Sequence, residues 1–261
     1  MHEHPFDAAA PEYDESFVGL APGTWFRSWV WKHATQLFKS GDEILDLGCG
    51  TGEDAVFLAK QGIRVHAVDI SPGMLEVARE KVERAGLEDL ITLERGSLTA
   101  IASHGDRLCD GFLSDFGPLN CLEHLAPFVE SAARSLRPGA PMLLVVMGPV
   151  CPWEIAWYLM HLRFPTAFRR LTRGLDAPVG GGPTIKVWYH SPRALRRALR
   201  DHFDVQRLIG IGTLVPPPYL SGLVTRAPRL FKGLNKLDRR LGHIFPFNRW
   251  NDHYMLIATR K

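Results

Sequence analysis

The stretch Leu45-Asp46-Leu47-Gly48-Cys49-Gly50-Thr51-Gly52-Glu53-Asp54-Ala55 constrains this 261-residue chain more than any other. Ile44 to Leu47 reads as a short buried strand, and Glu53 to Gln61 has the apolar spacing of a helix. Three of the five residues between them are glycine. Glycine enters left-handed backbone at no steric cost and, lacking a Cβ, lets backbone N–H groups approach a ligand at the start of a helix. A strand that passes so abruptly into a helix is the first half of a strand–helix–strand unit, which implies a parallel sheet.

The rest of the first 150 residues keeps that rhythm. Arg64 to Asp69, Ile91 to Glu94, Gly111 to Ser114 and Met142 to Met147 are expected strands. Helices are expected over residues 24–39, over Pro72 to Ala85 with Ser71 as cap and Pro72 in first position, and from Leu122 to Leu136 before Arg137-Pro138-Gly139. Beyond Gly148 come a Trp-, Phe- and Arg-rich segment (149–183), a strand over Thr184 to Tyr189, a helix over Pro192 to Asp201 and a strand over Phe203 to Ile211. A second irregular segment (212–251) and a last strand over His253 to Thr259 follow. The expected fold is α/β: a Rossmann-like, doubly wound, mostly parallel seven-stranded sheet with helical lid insertions. As a single domain it divides into an N-terminal helical cover (1–40), a core (41–148), lid and acceptor insertions (149–183 and 212–251) and remaining sheet elements (184–211 and 252–260).

The ligand can be narrowed from spacing. A dinucleotide fingerprint G-x-G-x-x-G would need a third glycine at 53, where Glu53 stands, and a carboxylate there sits poorly beside a pyrophosphate. Asp69 ends the next strand 17 residues after Gly52, where a carboxylate accepts hydrogen bonds from ribose hydroxyls. The ligand should therefore carry a ribose and a cationic end.

With the turn and Asp69 in this order, residues 6–147 resemble the class I S-adenosylmethionine-dependent methyltransferases, in particular the ubiquinone/menaquinone-type enzymes that act on small molecules. The resemblance implies S-adenosyl-L-methionine as cofactor and S-adenosyl-L-homocysteine as product. It also implies a cofactor site: Gly48, Cys49, Gly50 and Gly52 around the methionine part, Asp46 toward its amino group, Asp69 on the ribose, and Ile70 and Met74 near the adenine. Phe6-Asp7 and Tyr13-Asp14 look like the family's N-terminal segment, whose tyrosine closes over the cofactor. Gly96-Ser97-Leu98 stands where the family commonly has Gly-Asp. Ser114-Asp115-Phe116-Gly117-Pro118 departs from the run of base-methylating enzymes, although Asp115 and Phe116 should still border the transfer site.

Methyl transfer from a sulfonium needs chiefly an in-line acceptor, and a base only where the acceptor must lose a proton. His124, His161 and His190 are candidates, yet none is paired with a carboxylate by spacing, so no catalytic residue is assigned. Asn120, Trp153, Trp157, His161 and His190 are the candidate acceptor-pocket residues. At helical spacing Trp153, Trp157, His161 and Phe164 share one face.

Charge is uneven: residues 1–150 carry 12 Lys+Arg against 22 Asp+Glu, and residues 151–261 carry 19 against 6. The basic excess is densest over Arg226 to Trp250, where it alternates with Leu, Ile and Phe, a pattern suited to a lid, a lipid-like acceptor or peripheral contact with an anionic membrane. Nucleic acid is not expected, because no base-methylation motif is present. Cys49, Cys109, Cys121 and Cys151 form no C-x-x-C pair, and neither a signal peptide nor a membrane-spanning run is evident. The expected setting is cytoplasmic, with peripheral membrane contact as a variant, and oligomeric state is not readable. Alternative readings are a non-catalytic cofactor-binding or membrane-surface protein, and a nicotinamide-dependent oxidoreductase, against which Glu53 argues.

Overall fold

The computed structural model describes residues 4–17, 19–99, 108–179 and 182–261. Two N-terminal helices, α1 (Tyr13–Phe17) and α2 (Ala21–Leu37), lead into the alternating part: β1 (Glu43–Leu47), α3 (Glu53–Ala59), β2 (Arg64–Asp69), α4 (Pro72–Ala85), β3 (Ile91–Arg95), β4 (Gly111–Ser114), α5 (Ala126–Ser135) and β5 (Pro141–Met147). Then come α6 (Pro152–Met160), α7 (Phe164–Ala167), the strands β6 (Leu175–Pro178) and β7 (Thr184–Val187), α8 (Pro192–Leu199), β8 (Phe203–Ile211), α9 (Ser221–Arg226), α10 (Pro228–Leu241) and β9 (His253–Arg260).

The main sheet has seven strands in the order β3-β2-β1-β4-β5-β9-β8. The first five are parallel neighbours, and β9 runs antiparallel between β5 and β8. Being covered on both faces, β1, β4 and β5 are buried along nearly their whole length rather than alternating. One face packs Val145, Met255 and Ile257 against Phe26, Trp29 and Val30 of α2 and Leu58 of α3, and the other packs Leu144, Tyr254 and Leu256 against Phe128 of α5 and Leu195 of α8.

Local signals hold where they were read. Ser71 caps α4 by accepting from the Met74 N–H, and Gly86 ends it in left-handed backbone. Such a cap contributes about 1 kcal/mol. Two expectations change. Thr184 to Tyr189 does not join the main sheet: Thr184–Val187 pairs antiparallel with Leu175–Pro178 in a separate hairpin, and the edge beside β5 is filled by β9. The first insertion is thus mostly helical and ends in the first strand of a hairpin. The helix expected from Leu122 begins only at Ala126, since Pro118–Cys121 forms a 3-10 turn first.

In the second insertion, α10 is held by its one acid. Asp238 is buried and accepts from the N–H groups of Gly212, Thr213 and Leu214 at 2.9, 3.0 and 2.7 Å, which fastens the helix to the end of β8.

Candidate active site

A cavity of about 800 Å³ opens at the carboxyl edge of the parallel strands, within the size range of small-molecule sites. Its wall takes Leu47 from the end of β1, Asp69 from β2, Asp115 from just after β4 and Met147 from β5. It also takes His253, because an antiparallel strand begins where its parallel neighbours end: His253 is in register with Met147 and Ile211.

At one end the glycine turn forms the floor. Gly48 (φ 81°) is required by packing, since a Cβ there would lie 2.3 Å from the Pro118 ring, whereas Gly50 (φ 53°) would project a Cβ into open space and is the place where a ligand can approach the backbone. Asp69 accepts from the Gly50 and Ser71 N–H groups at 2.9 Å each, one per carboxylate oxygen, leaving a lone pair on each oxygen for a diol.

Behind the turn sits a cluster of carboxyls. Asp46 and Asp115 are buried, and each has one side-chain oxygen (Oδ2) without a hydrogen-bond partner. Burial, then repulsion from Asp54, holds both well above the usual carboxylate range. Asp54 is neutralised from α2, where Arg27 pairs with it and the Trp31 indole donates to it at 2.6 Å. Burial opposes the charge on Arg27, yet Asp54 and Asp115 keep it cationic. A ligand with a positive centre would relieve this excess of acid, and a carboxylate beside that centre could use Arg27. These are the ends of an amino-acid sulfonium, so the donor set fits S-adenosylmethionine. Burial pushes the Cys121 thiol up to about 11 and that of Cys49 well above its ordinary value, so both are neutral wall groups.

The N-terminal segment closes over this end through its two acids. Asp7 accepts from Ser71 Oγ at 2.6 Å and from the Gly73 N–H at 3.0 Å, at the start of α4. Asp14 accepts from Thr51 Oγ1 at 2.5 Å and pairs with Lys81 at 2.6 Å, and Lys81 also holds Glu53 at 2.5 Å. Between them Phe6 and Tyr13 meet edge to face at 6.5 Å on the cavity wall. Burial pushes the Tyr13 hydroxyl up to about 12, so it stays a neutral donor.

The other end is apolar and built from distant segments: Leu122, Met147, Val179 and Ile185 with Pro217 and Pro218. Its polar boundary is a buried ion-pair network. Arg170 bridges Glu154 (2.8 Å) and Asp252 (2.7 Å), Arg169 and Tyr219 also bind Glu154 at 2.6 and 2.7 Å, and Asp252 meets His253 Nδ1 at 3.1 Å. Burial works against ionised Glu154 and Asp252, but Arg170 on the first, and His253 with Arg170 on the second, hold both below the usual range. Phe116 stands between the two ends in left-handed backbone (φ 52°), with Arg27 over its ring at 5.1 Å and His253 against its edge at 5.4 Å. Such a backbone for a non-glycine residue costs of order 1 kcal/mol and marks a position held by its surroundings.

Of the residues expected around the cofactor, the structure gathers Tyr13, Gly48, Cys49, Gly50, Asp69, Ile70, Met74, Ser97, Leu98, Asp115 and Phe116 on the wall. Asp46 and Gly52 lie behind it, the first buried and the second opening α3. The expected acceptor residues are not on the wall. Asn120 is a buried staple, donating to the Met147 and Trp188 carbonyls and accepting from the Met147 N–H. Trp153 packs on Phe231, with ring centroids 5.9 Å apart. Trp157 meets an exposed His161 at 4.3 Å, and His161 itself lies past the end of α6. His190 turns Nε2 to the Leu122 carbonyl at 2.7 Å. The aromatic stripe fails because α6 buries Glu154 instead, drawn inward by two arginines that local spacing does not reveal. His124, the remaining candidate base, is exposed. Sequence reasoning missed Arg27, Glu154 as a buried anchor, Arg170, Tyr219, Asp252 and His253. The one available signal was the Asp252-His253 pair opening the last strand.

A methyltransferase-domain family model matches residues 44–139. A demethylmenaquinone methyltransferase of Symbiobacterium thermophilum is 42% identical over 139 residues, covering 51% of this chain and 54% of that protein. Another from Tropheryma whipplei is 26% identical over 187 residues, covering 66% and 74%. The match thus spans about half the length of the first of these relatives. Among solved structures, the CcbJ methyltransferase from Streptomyces caelestis has a TM-score of 0.65 at 16% identity, covering 98% of this chain and 97% of that one. A glycopeptide N-methyltransferase, MtfA, complexed with S-adenosylhomocysteine, has a TM-score of 0.56 at 17% identity, covering 90% and 89%. At such identities these structures speak for the fold alone. With the domain match over the glycine turn and Asp69, and the strand order around them, the chain carries a methyltransferase domain over residues 44–139 and resembles the class I S-adenosylmethionine-dependent methyltransferases, the quinone-methylating members among them.

Proposed function

We propose that the chain transfers a methyl group from S-adenosylmethionine to a small, largely apolar acceptor, on an oxygen, nitrogen or carbon atom. The observation that carries this reading is one continuous cavity with an acidic, glycine-floored end and an apolar end that meet at Phe116. When bound, the cofactor supplies a methyl group already activated by its sulfonium. The protein's share is to orient and to exclude water: Asp69 takes the ribose hydroxyls, Asp115 the ammonium, Arg27 the carboxylate, and Tyr13 covers the donor. Quinone-type acceptors are the first class to try, because the relatives named above act on demethylmenaquinone. Calorimetry with S-adenosylmethionine and S-adenosylhomocysteine is the direct test, followed by mass spectrometry for a methyl group gained by alkyl-hydroquinones. A folded protein that binds neither nucleoside would sink the reading.

The second insertion supports peripheral contact with an anionic bilayer as the setting for such an acceptor. No helix among the described residues is long and apolar enough to cross a membrane. On α10, however, Arg229, Lys236 and Arg240 lie exposed beside exposed Leu230 and Leu237, and Ile244, Phe245 and Trp250 follow, also exposed. Exposed apolar groups interleaved with cations suit the interfacial layer. Four free cysteines suit a reducing compartment, on the cytoplasmic side. Co-sedimentation with phosphatidylglycerol vesicles should be strong at low salt and fall with Arg229→Glu/Arg240→Glu; equal binding to neutral vesicles contradicts it.

A further inference from the structure

We propose that the apolar end of the cavity is an acceptor subsite for a molecule bearing an ionisable hydroxyl, a phenol or enol, and that His253 is the base that takes its proton. The proposal rests on the methyl-transfer reading above and names what that reading leaves open.

Three observations carry it. First, His253 is on the cavity wall, and of the histidines named there it is the one beside Phe116, where the donor and apolar ends meet. The other, His4, stacks on Phe6 at 5.7 Å under the N-terminal cover. Second, the imidazole is fixed in one role. Its Nδ1 faces Asp252 Oδ2 at 3.1 Å, so the carboxylate selects the tautomer with the proton on Nδ1 and leaves Nε2 as the acceptor. Third, Asp252 is itself immobile. Arg170 donates to its Oδ1 at 2.7 Å and to its carbonyl at 3.0 Å, and Arg170 is anchored in turn by Glu154. A buried carboxylate behind an imidazole both orients the ring and stabilises the imidazolium that forms on proton capture.

The subsite around this dyad selects the acceptor. Val179, Ile185, Leu122 and Met147 offer no hydrogen-bonding side chain, so an aromatic or isoprenoid-like body fits and a sugar or amino acid does not. In the transfer step the acceptor hydroxyl gives its proton to His253 Nε2 while its oxygen forms the bond to the methyl carbon. The carbon–sulfur bond breaks with its electron pair kept by sulfur. The products are a methyl ether, a neutral thioether and an imidazolium that returns its proton to solvent. Asp252 and Arg170 act as positioning residues.

The test uses the full chain saturated with S-adenosylhomocysteine and titrated with 4-nitrophenol, whose phenolate absorbs apart from the phenol, at a pH where the free phenol is protonated. The wild-type complex should bind it and develop the phenolate band. His253→Gln should keep its affinity for S-adenosylhomocysteine, showing an intact fold, and lose the band; Asp252→Asn should weaken it. No binding of nitrophenol, or a band that survives in His253→Gln, overturns the proposal. Failure of the wild type to bind S-adenosylhomocysteine is a different result: it removes the methyl-transfer reading and this proposal with it.

Discussion

At the donor end of the cavity the polar groups are backbone amides and carboxylates carried by adjoining strand ends, whereas at the acceptor end they are side chains recruited from far apart, Arg170 reaching Asp252 across 82 positions and Tyr219 reaching Glu154 across 65. The charge bookkeeping differs as well. The donor end keeps more acids than bases, with Asp46 and Asp115 resisting ionisation, and the acceptor end sets Arg169 and Arg170 against Glu154 and Asp252. A binding site for a cation can remain unbalanced until its ligand arrives. A wall that meets an apolar ligand has to be balanced in advance, because a buried unpaired charge is costly.

The largest expected effect breaks the balanced end. Arg170→Met leaves Glu154 and Asp252 buried with their main partner gone, and should cost about 3–5 kcal/mol in denaturant unfolding. Repeating it with Asp252→Asn should recover part of that loss, and a double-mutant cycle showing no coupling would separate the pair. At the unbalanced end the effect should fall on binding instead. Asp69→Asn should weaken S-adenosylhomocysteine about 10- to 100-fold by calorimetry, or roughly 1.4–2.8 kcal/mol, with a smaller change in stability.

The smallest effect is the most discriminating, because the two ends should respond to pH in opposite directions. Asp46 and Asp115 sit above their unfolded values, so their contribution is fully present at low pH and is lost as pH rises through their folded values. Glu154 and Asp252 sit below, so theirs is present above the ordinary carboxylate range and is lost as pH falls through their folded values. Asp115→Asn should therefore raise the melting temperature of the free protein at neutral pH while weakening cofactor binding, and Arg170→Met should flatten the acid limb. Melting curves from pH 3 to 9 that shift in parallel for both variants would refute the contrast.

The same division explains what could be read from the chain. Asp46, the glycines and Asp69 were legible because the turn, the strand and the next strand end lie within 24 residues and obey local geometry. The strands β8 and β9 were expected at Phe203 to Ile211 and His253 to Thr259, and both lie in the main sheet. The acceptor end was not legible: its residues are unremarkable until tertiary contacts assemble them. Trp153 and Trp157 looked like a pocket face because aromatic spacing is visible locally, and Glu154 was given no role because its arginines come 15 and 16 positions later. Thr184–Val187 had the composition of a sheet strand but found its partner in Leu175–Pro178.

Asn120 bears on how the two ends of the cavity can vary independently. Its side chain holds the Met147 backbone and the Trp188 carbonyl, and its own carbonyl accepts from the Trp188 N–H at 2.7 Å, so the exit of the β6–β7 hairpin is riveted to the loop after β4. Everything on the hairpin side of that rivet can be exchanged, lengthened or repacked without cutting a hydrogen bond of the glycine turn. The glycine turn and the hairpin are in this way structurally separable, and Trp188 marks the seam at which one hairpin could be grafted for another.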